Sequence, residues 1–270
     1  MLRVLTLNIW NVMGDWRARR KDIVAWIDHL EPDVICLQEI IESPDGKNQA
    51  DWIAEHAGGE WYRAYAGRDV MDGAANFGNA VLSRWTIDEQ HDRDLTSHPP
   101  GRLDETQRLI LHARTNGYDV FSTHLLWRYD EGNMRETQVV EIDEFIREVA
   151  DPNAALPPIL AGDFNAEPDS TEIRFLTGSA SLQGRSTYYQ DAWRVAGGRG
   201  HGFTWDNRNI NAAVEREPDR RIDYIFSGWR KDGTSGAGRI ASARVVCDRA
   251  LTGAFASDHF GLFAEIETGA

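Results

Sequence analysis

The sequence predicts an α/β fold in one domain spanning residues 1–270, and three observations lead there. Short runs rich in Val, Ile, Leu and Phe alternate with stretches whose apolar residues recur at helical spacing. Many of the apolar runs finish on Asn, Asp, Glu or His, as strands do when they deliver side chains to a shared site. No segment has linker length or low complexity, and 270 residues suit one large domain.

Residues 2–7 read as a strand that begins at once. A helix follows Asp15, with Ile23, Ile27 and Leu30 on one face and Glu31-Pro32 as its stop. Residues 33–40 form a second strand, and its continuous Val34-Ile35-Cys36-Leu37 predicts cover on both faces. Strands are expected at 79–84, 109–113 and 118–126. A second helix places Val139, Ile142, Ile146 and Val149 inward and ends at Asp151-Pro152. After the strand 157–162, a short helix follows Pro168, with Ser170 as N-cap, Ile173 and Leu176 inward and Gly178 at its end. Strands at 221–227 and 259–267 complete the reading, with Cys247 in a further one. Segments 66–78, 197–211 and 228–239 read as loops, the last carrying Arg230, Lys231 and Arg239.

Composition narrows the function. The hydrophobic fraction of 41% and ten tryptophans supply a sizeable core, and no apolar run approaches the length of a membrane helix. Arg3, Thr6 and Asn8 interrupt the first apolar stretch, so no secretory signal is expected. Two distant cysteines make no disulfide framework, which favours a reducing cytoplasm. A formal net charge of -14 argues against non-specific binding to a polyanion.

The polar strand ends suit one divalent cation and one phosphate. Glu39, closing a buried run, is costly to leave unpaired, and a hard cation is an apt partner; an Arg or solvent is the alternative. Gly162-Asp163-Phe164-Asn165 places a tight turn beside a carboxylate and an amide two residues apart. Asp163 can accept a proton from a water that Asn165 orients, although Asp and Asn also favour such turns on conformational grounds. His259, preceded by Ser257-Asp258, can donate to a phosphoryl oxygen if a carboxylate holds its ring, and Asp223 is the candidate. Asp258 can instead face the metal. His124, after Val120-Phe121-Ser122-Thr123, offers a second donor or a satisfied strand end. Asn8 and Asn79 read as neutral ligands, phosphate donors or turn residues.

In order and wording these clusters resemble the endonuclease/exonuclease/phosphatase superfamily, the DNase I-like metal-dependent phosphoesterases, from Leu5 to Phe260. The resemblance implies a four-layer sandwich of two mixed β-sheets face to face with helices outside. It implies Glu39 as the principal Mg²⁺ ligand with Asn8 and Asp258 nearby, Asp163 and Asn165 at the attacking water, and His259 on the phosphate, held by Asp223. His124 matches the histidine of a Thr-His-Leu motif. Arg135 and Gln138 match an Arg-x-x-Gln pattern after it, which makes Arg135 a substrate-binding candidate. The implied chemistry is in-line attack of water on phosphorus, with Mg²⁺ (or Mn²⁺, which suits the same oxygen ligands) as Lewis acid.

The chain departs from apurinic endonucleases, which usually carry Tyr and Pro-Asn near Ser122-Thr123-His124-Leu125. Inositol polyphosphate phosphatases usually show more basic residues than are found here. Trp10, Trp127, Tyr129, Trp205, Arg128 and Arg208 read as a rim that stacks a base or sugar and grips a phosphate, or in part as core. The expected substrate is a small phosphodiester or phosphomonoester of sugar, inositol or lipid-headgroup type. DNA or RNA is the alternative, and the basic cluster Arg17, Arg19, Arg20 and Lys21 would serve it if it borders the site. A protein that has kept the metal and lost catalysis is a third reading, disfavoured by the full residue set.

Overall fold

The structure is a computed structural model that describes residues 1–70, 73–98, 107–229 and 236–269. Two six-stranded mixed sheets form its centre. The first holds β1 (Leu2–Asn8), β2 (Val34–Glu42), β3 (Tyr62–Asp69), β4 (Asn76–Ser83), β11 (Ile240–Val246) and β12 (Gly261–Ile266), in the order β11-β12-β1-β2-β4-β3. The second holds β5 (Ile87–Asp94), β6 (Leu109–Thr115), β7 (Tyr118–His124), β8 (Ile159–Asp163), β9 (Tyr189–Asp191) and β10 (Asp223–Gly228), in the order β5-β6-β7-β8-β10-β9.

Alternation along the strands explains the layers. Val34 and Cys36 of β2 face the second sheet and meet Leu111, Val120, Ile159 and Ile225 in the central core. Ile35 and Leu37 face outward, where they pack with Ile23, Ile27 and Leu30 of α1 (Trp16–Leu30) and Ile53 of α2 (Gln49–His56). On the other side, Phe121, Leu160 and Phe226 meet Val139, Ile142 and Ile146 of α3 (Gly132–Val149) and Ile173 of α4 (Thr171–Leu176). Helices, sheet, sheet, helices: the four-layer α/β sandwich is present. Asp15 caps α1, accepting from Ala18 N–H at 3.1 Å. No helix among the described residues is long and apolar enough to cross a membrane.

Several elements correct the sequence reading. Much of the expected loop 66–78 is strand, because β3 and β4 pair through Ala66–Gly67 and Gly78–Asn79. Gly78 lies so close to β3 that a Cβ there would sit 1.9 Å from the Ala66 carbonyl oxygen. The charged run Ile87–Asp94 is the edge strand β5, and its Gln90 crosses to the other sheet, donating to the Tyr65 carbonyl at 2.7 Å. Two short helices, α5 (Ala192–Ala196) and α6 (Ile210–Ala213), and the three-residue β9 were also not anticipated. Cys247 falls just after β11, with φ of 56°, and it and Cys36 are free and buried. Of the expected loop 228–239, Arg230 and Lys231 lie outside the described residues.

Candidate active site

The polar strand ends meet at one end of the sandwich because register places them side by side. Within the first sheet Asn8 of β1 pairs with Gln38 of β2, and the next residue is Glu39. The β2–β4 register shifts between Leu37 and Ile40, and Glu39 takes a left-handed φ of 62° at this irregularity. A bulge re-aims a side chain in this way, and here it turns a carboxylate into the cleft instead of the core. In the second sheet His124, Asp163 and Asp223 stand abreast on β7, β8 and β10. Gly162 makes the close approach feasible: its φ is 149°, and a Cβ would lie 2.0 Å from the Thr123 carbonyl oxygen. His259 arrives from the segment before β12.

A web of hydrogen bonds joins the two sheets across a cleft of about 380 Å³. Asn8 Nδ2 donates to Asp163 Oδ2 at 3.0 Å and to Glu39 Oε1 at 3.2 Å. Asn11 Nδ2 donates to the other Glu39 oxygen at 2.7 Å. Asp163 Oδ1 accepts from Asn165 N–H at 2.9 Å, the tight turn expected of this segment. His259 Nδ1 lies 2.9 Å from Asp223 Oδ2, and its Nε2 lies 3.8 Å from Asp163 Oδ2. His124 Nε2 lies 3.4 Å from that same Asp163 oxygen. Thr204 Oγ1 accepts from Asp223 N–H at 3.1 Å while the Thr204 carbonyl accepts from Phe260 N–H at 2.7 Å, so one residue ties the Asp223 and His259 segments together.

Burial and neighbouring charge set the protonation states. Burial, and then the Asp223 charge, pushes the Asp163 carboxyl up to about 7. Burial also pushes Asp258 up to about 6, with His259 opposing and Glu39 adding to the rise. Burial disfavours a charged His259, but the Asp223 and Asp163 carboxylates outweigh it and push the ring up to about 10. His124 goes the other way: burial, then Arg108 and His259, holds it well below the usual histidine range. The cleft therefore pairs a cationic histidine with a neutral one.

Two groups of side chains fit a cation. Glu39 and Asp258 both line the cleft and face each other closely enough for Glu39 to raise Asp258. Like charges brought together at an open, oxygen-rich wall suit a hard divalent ion. Asp163, Asp223 and His259 also offer ligand atoms within 4.8 Å of one another, and Asp223 Oδ1 is buried with no hydrogen-bond partner. In this trio, however, His259 Nδ1 is already committed to Asp223. The trio thus forms a chain of hydrogen-bonded and closely spaced ionisable groups, and the Glu39–Asp258 wall a separate pair of carboxylates on the cleft.

The structure brings together Glu39, Asp258, Asp163, Asn165, His259, His124, Trp127 and Trp205, all on the cleft wall, with Asp223 behind His259 and Asn8 between the two carboxylates. Asn8 stays in the site, its Oδ1 accepting from Trp10 N–H at 2.9 Å and its amide nitrogen facing Glu39 and Asp163, so of the readings open to it the donor is the one this geometry presents. The structure places others elsewhere. Asn79 is turned between the sheets and donates to the Leu109 carbonyl at 3.2 Å, away from the cleft. Arg135 is likewise not at the cleft: its Nε donates to Glu172 at 2.8 Å and its Nη1 to the Leu126 and Arg128 carbonyls, which shapes the loop carrying Trp127. Gln138 holds that loop too, accepting from Leu126 N–H. Arg128 sits over the Trp127 ring at 5.0 Å outside the lining, and Arg208 is held by Asp206.

The basic cluster at 17–21 is split: Arg17 and Lys21 are exposed, while Arg19 and Arg20 are engaged by the fold. The Arg19 guanidinium is buried and donates to the carbonyls of Ile9, Trp10, Asn11, Met13 and Ala256. It pins the loop after β1 to the segment entering Asp258. Arg20 stacks over Trp52 at 4.1 Å. Residues the sequence reading missed include Asn11, Phe77, Arg108, Glu215, Glu217 and Arg220, all on the cleft wall. Arg220 pairs with Glu217 and stands over Tyr129 at 4.5 Å. No spacing or motif marks these positions, because they come from segments far apart in sequence: Phe77 from β4, Arg108 from the residue before β6, and the others from loops.

The sequence profile of the Endonuclease/Exonuclease/phosphatase family matches residues 9–259. The chain is 28% identical over 171 residues to Protein angel homolog 2 of Bos taurus, covering 60% of this chain and 31% of that one. It is 24% identical over 176 residues to the uncharacterized protein YbhP of Escherichia coli K12, covering 60% of this chain and 66% of YbhP. The fold is similar to that of an endonuclease/exonuclease/phosphatase family protein from Leptotrichia buccalis, with TM-score 0.73, 20% identity and 99% and 100% of the two chains covered. D. rerio TDP2, crystallised with a single-strand DNA product, superposes with TM-score 0.68 at 20% identity over 98% of each chain. With a match of that extent to its profile, the chain belongs to the Endonuclease/Exonuclease/phosphatase family, enzymes that act as phosphoesterases or nucleases.

Proposed function

We propose that this protein is a single-domain, divalent-metal-dependent hydrolase of a small phosphodiester or phosphomonoester, of sugar, inositol or lipid-headgroup type. The observation that carries the reading is the convergence of Asp163, Asn165, His124 and the His259–Asp223 pair around one cleft beside the Glu39–Asp258 wall. Glu39 and Asp258 would hold Mg²⁺ or Mn²⁺, which when bound neutralises charge on a phosphoryl or leaving oxygen.

The chain's own residues supply the rest. Asp163, pushed up to about 7, is a base tuned near neutrality that takes a proton from water as the water attacks phosphorus. Asn165, fixed by the same turn, and Asn8, bonded to Asp163 Oδ2, keep that carboxylate and water in place. His259 carries a positive charge held by Asp223 and offers its Nε2–H to the oxyanion that develops. Each such preorganised donor is typically worth about 3 kcal/mol of barrier.

A nuclease remains the second reading, favoured by the single-strand DNA product held by the D. rerio TDP2 neighbour. Electrostatics favour the small ester. Glu215 and Glu217 line the cleft, its Arg220 is paired with Glu217, and the basic 17–21 cluster lies in or around α1 with Arg19 buried. A polynucleotide needs cations along its path. We also propose a cytoplasmic location, supported by two free, buried cysteines.

The test is hydrolysis of a generic diester, a monoester and single-stranded DNA, with and without Mg²⁺ or Mn²⁺. Metal-dependent turnover of the diester or monoester above that of DNA supports the reading. Faster cleavage of DNA would replace it with the nuclease.

A further inference from the structure

Arg108 stands behind His124 on the cleft wall, and its Nη1 lies 3.0 Å from His124 Nδ1. Both side chains are buried. An arginine side chain only donates, so His124 Nδ1 must be the acceptor and present its lone pair. A ring that accepts at Nδ1 is neutral and carries its one proton on Nε2. The amide of Asn165, 3.1 Å from His124 Nε2, has its nitrogen on that side, directed by a bond to the Leu125 carbonyl at 3.2 Å. That nitrogen is a donor as well and offers the His124 proton nothing to bind. Among the described residues, the acceptor facing this N–H is Asp163 Oδ2, at 3.4 Å, longer than a good hydrogen bond. The proton is thus fixed in direction and only loosely satisfied until an oxygen enters the cleft.

We propose that Arg108 is a positioning residue that locks His124 as the neutral Nε2–H tautomer, so that His124 binds a phosphoryl oxygen as a fixed donor and keeps its proton throughout. The inference rests on the phosphoester reading of the cleft for the identity of that oxygen, while the tautomer itself does not depend on it. The two histidines then have separate tasks. His259, with a carboxylate behind its ring, is a charged donor; His124, with a guanidinium behind its ring, is an uncharged one. A carboxylate behind Nδ1 favours a proton on that nitrogen, whereas a guanidinium there excludes one, and in both rings Nε2–H is left to face the cleft.

The experiment is ¹⁵N NMR of protein labelled at histidine ring nitrogens, on wild type, Arg108→Lys and Arg108→Met, with kcat and KM measured on the same samples. His124→Asn assigns the resonance. In wild type, His124 Nδ1 should show the unprotonated pattern and Nε2 the protonated one. Arg108→Lys, which still donates, should keep this pattern and most of the turnover. Arg108→Met should mix or invert the tautomers and lower kcat by about a hundredfold with KM changed far less. In a His124→Asn background, Arg108→Met should lower kcat no further. A wild-type His124 protonated at Nδ1 or at both nitrogens would overturn the proposal, as would Arg108→Met with an unchanged pattern or unchanged kcat. Should Arg108→Met fail to fold, the wild-type pattern and its retention in Arg108→Lys still decide. A protein with no phosphoesterase activity but the expected tautomer would sink the functional reading and leave the Arg108–His124 assignment standing.

Discussion

Lowering the pH from 7 to 5 should weaken divalent-cation binding about tenfold, and the direction follows from Asp258. This carboxyl is pushed up to about 6 by burial and by Glu39. It is protonated in roughly nine of ten molecules at pH 5 and about one in ten at pH 7, and a cation seated on it must displace that proton. The cost of that displacement at pH 5 is about 1.4 kcal/mol. The same shift has a consequence for the metal-free protein. Its folded-state pKa is raised, so the native state holds more protons than the unfolded chain between the ordinary carboxylate range and about 6, and stability falls as pH rises through that window. Asp163, raised to about 7, extends the fall to neutrality. Calorimetric titration of Mg²⁺ at pH 5 and pH 7, in buffers of different ionisation heat, reads both affinity and protons released. The expected result is close to one proton released at pH 5, few at pH 7, and loss of both binding and release in Asp258→Asn. Affinity independent of pH would refute the reasoning. Release that survives in Asp258→Asn but vanishes in Asp163→Asn would move the cation to the Asp163, Asp223 and His259 trio.

Three further substitutions separate structural from catalytic roles. Arg135→Met strands Glu172 as a buried charge and should cost about 3–5 kcal/mol in denaturant unfolding, with kcat of the folded protein little changed; unchanged stability with a large kcat loss would restore Arg135 to the site. Gly162→Ala drives a Cβ to 2.0 Å from the Thr123 carbonyl oxygen, so β7 and β8 must part, and both thermal stability and kcat should fall; a protein as stable and active as wild type would show the contact is not tight. Arg19→Met leaves several buried carbonyls unpaired at about 1–3 kcal/mol each and loosens the segments entering Asn11 and Asp258. It should lower the melting temperature and raise the metal concentration needed for activity; a change in melting temperature alone would confine Arg19 to a structural role.

The strands that build the site were legible because each carries a buried apolar stretch with a site residue at one end: Asn8, His124 and Asp163 close β1, β7 and β8, and Asp223 opens β10. Elements outside the core were not. β5 is polar throughout after Ile87, because most of its residues meet solvent and its support comes from pairing with β6 and from Gln90. α2 spans only Gln49–His56, too short for periodicity to emerge, although Asn48 and Asp51 form a capping box. Site residues were legible where they sit at strand ends and obscure where orientation decides. Asn79 lies in a site-bearing segment, yet the β4 pleat turns it toward Leu109. Arg19 looked like surface charge, and only the fold surrounds it with carbonyls. Arg135 follows the Thr-His-Leu motif in sequence but faces Glu172 in space. Motif wording identifies a segment, and side-chain direction decides what it touches.

The central claim, that Asp163 activates the attacking water, is tested most directly by the turnover of Asp163→Asn at saturating metal and phosphodiester. The replacement keeps the shape of the side chain and leaves the Asn165 N–H its acceptor, but removes the base. The account predicts a fall in kcat of about a hundredfold or more with cooperative unfolding retained. Turnover within a fewfold of wild type would contradict it.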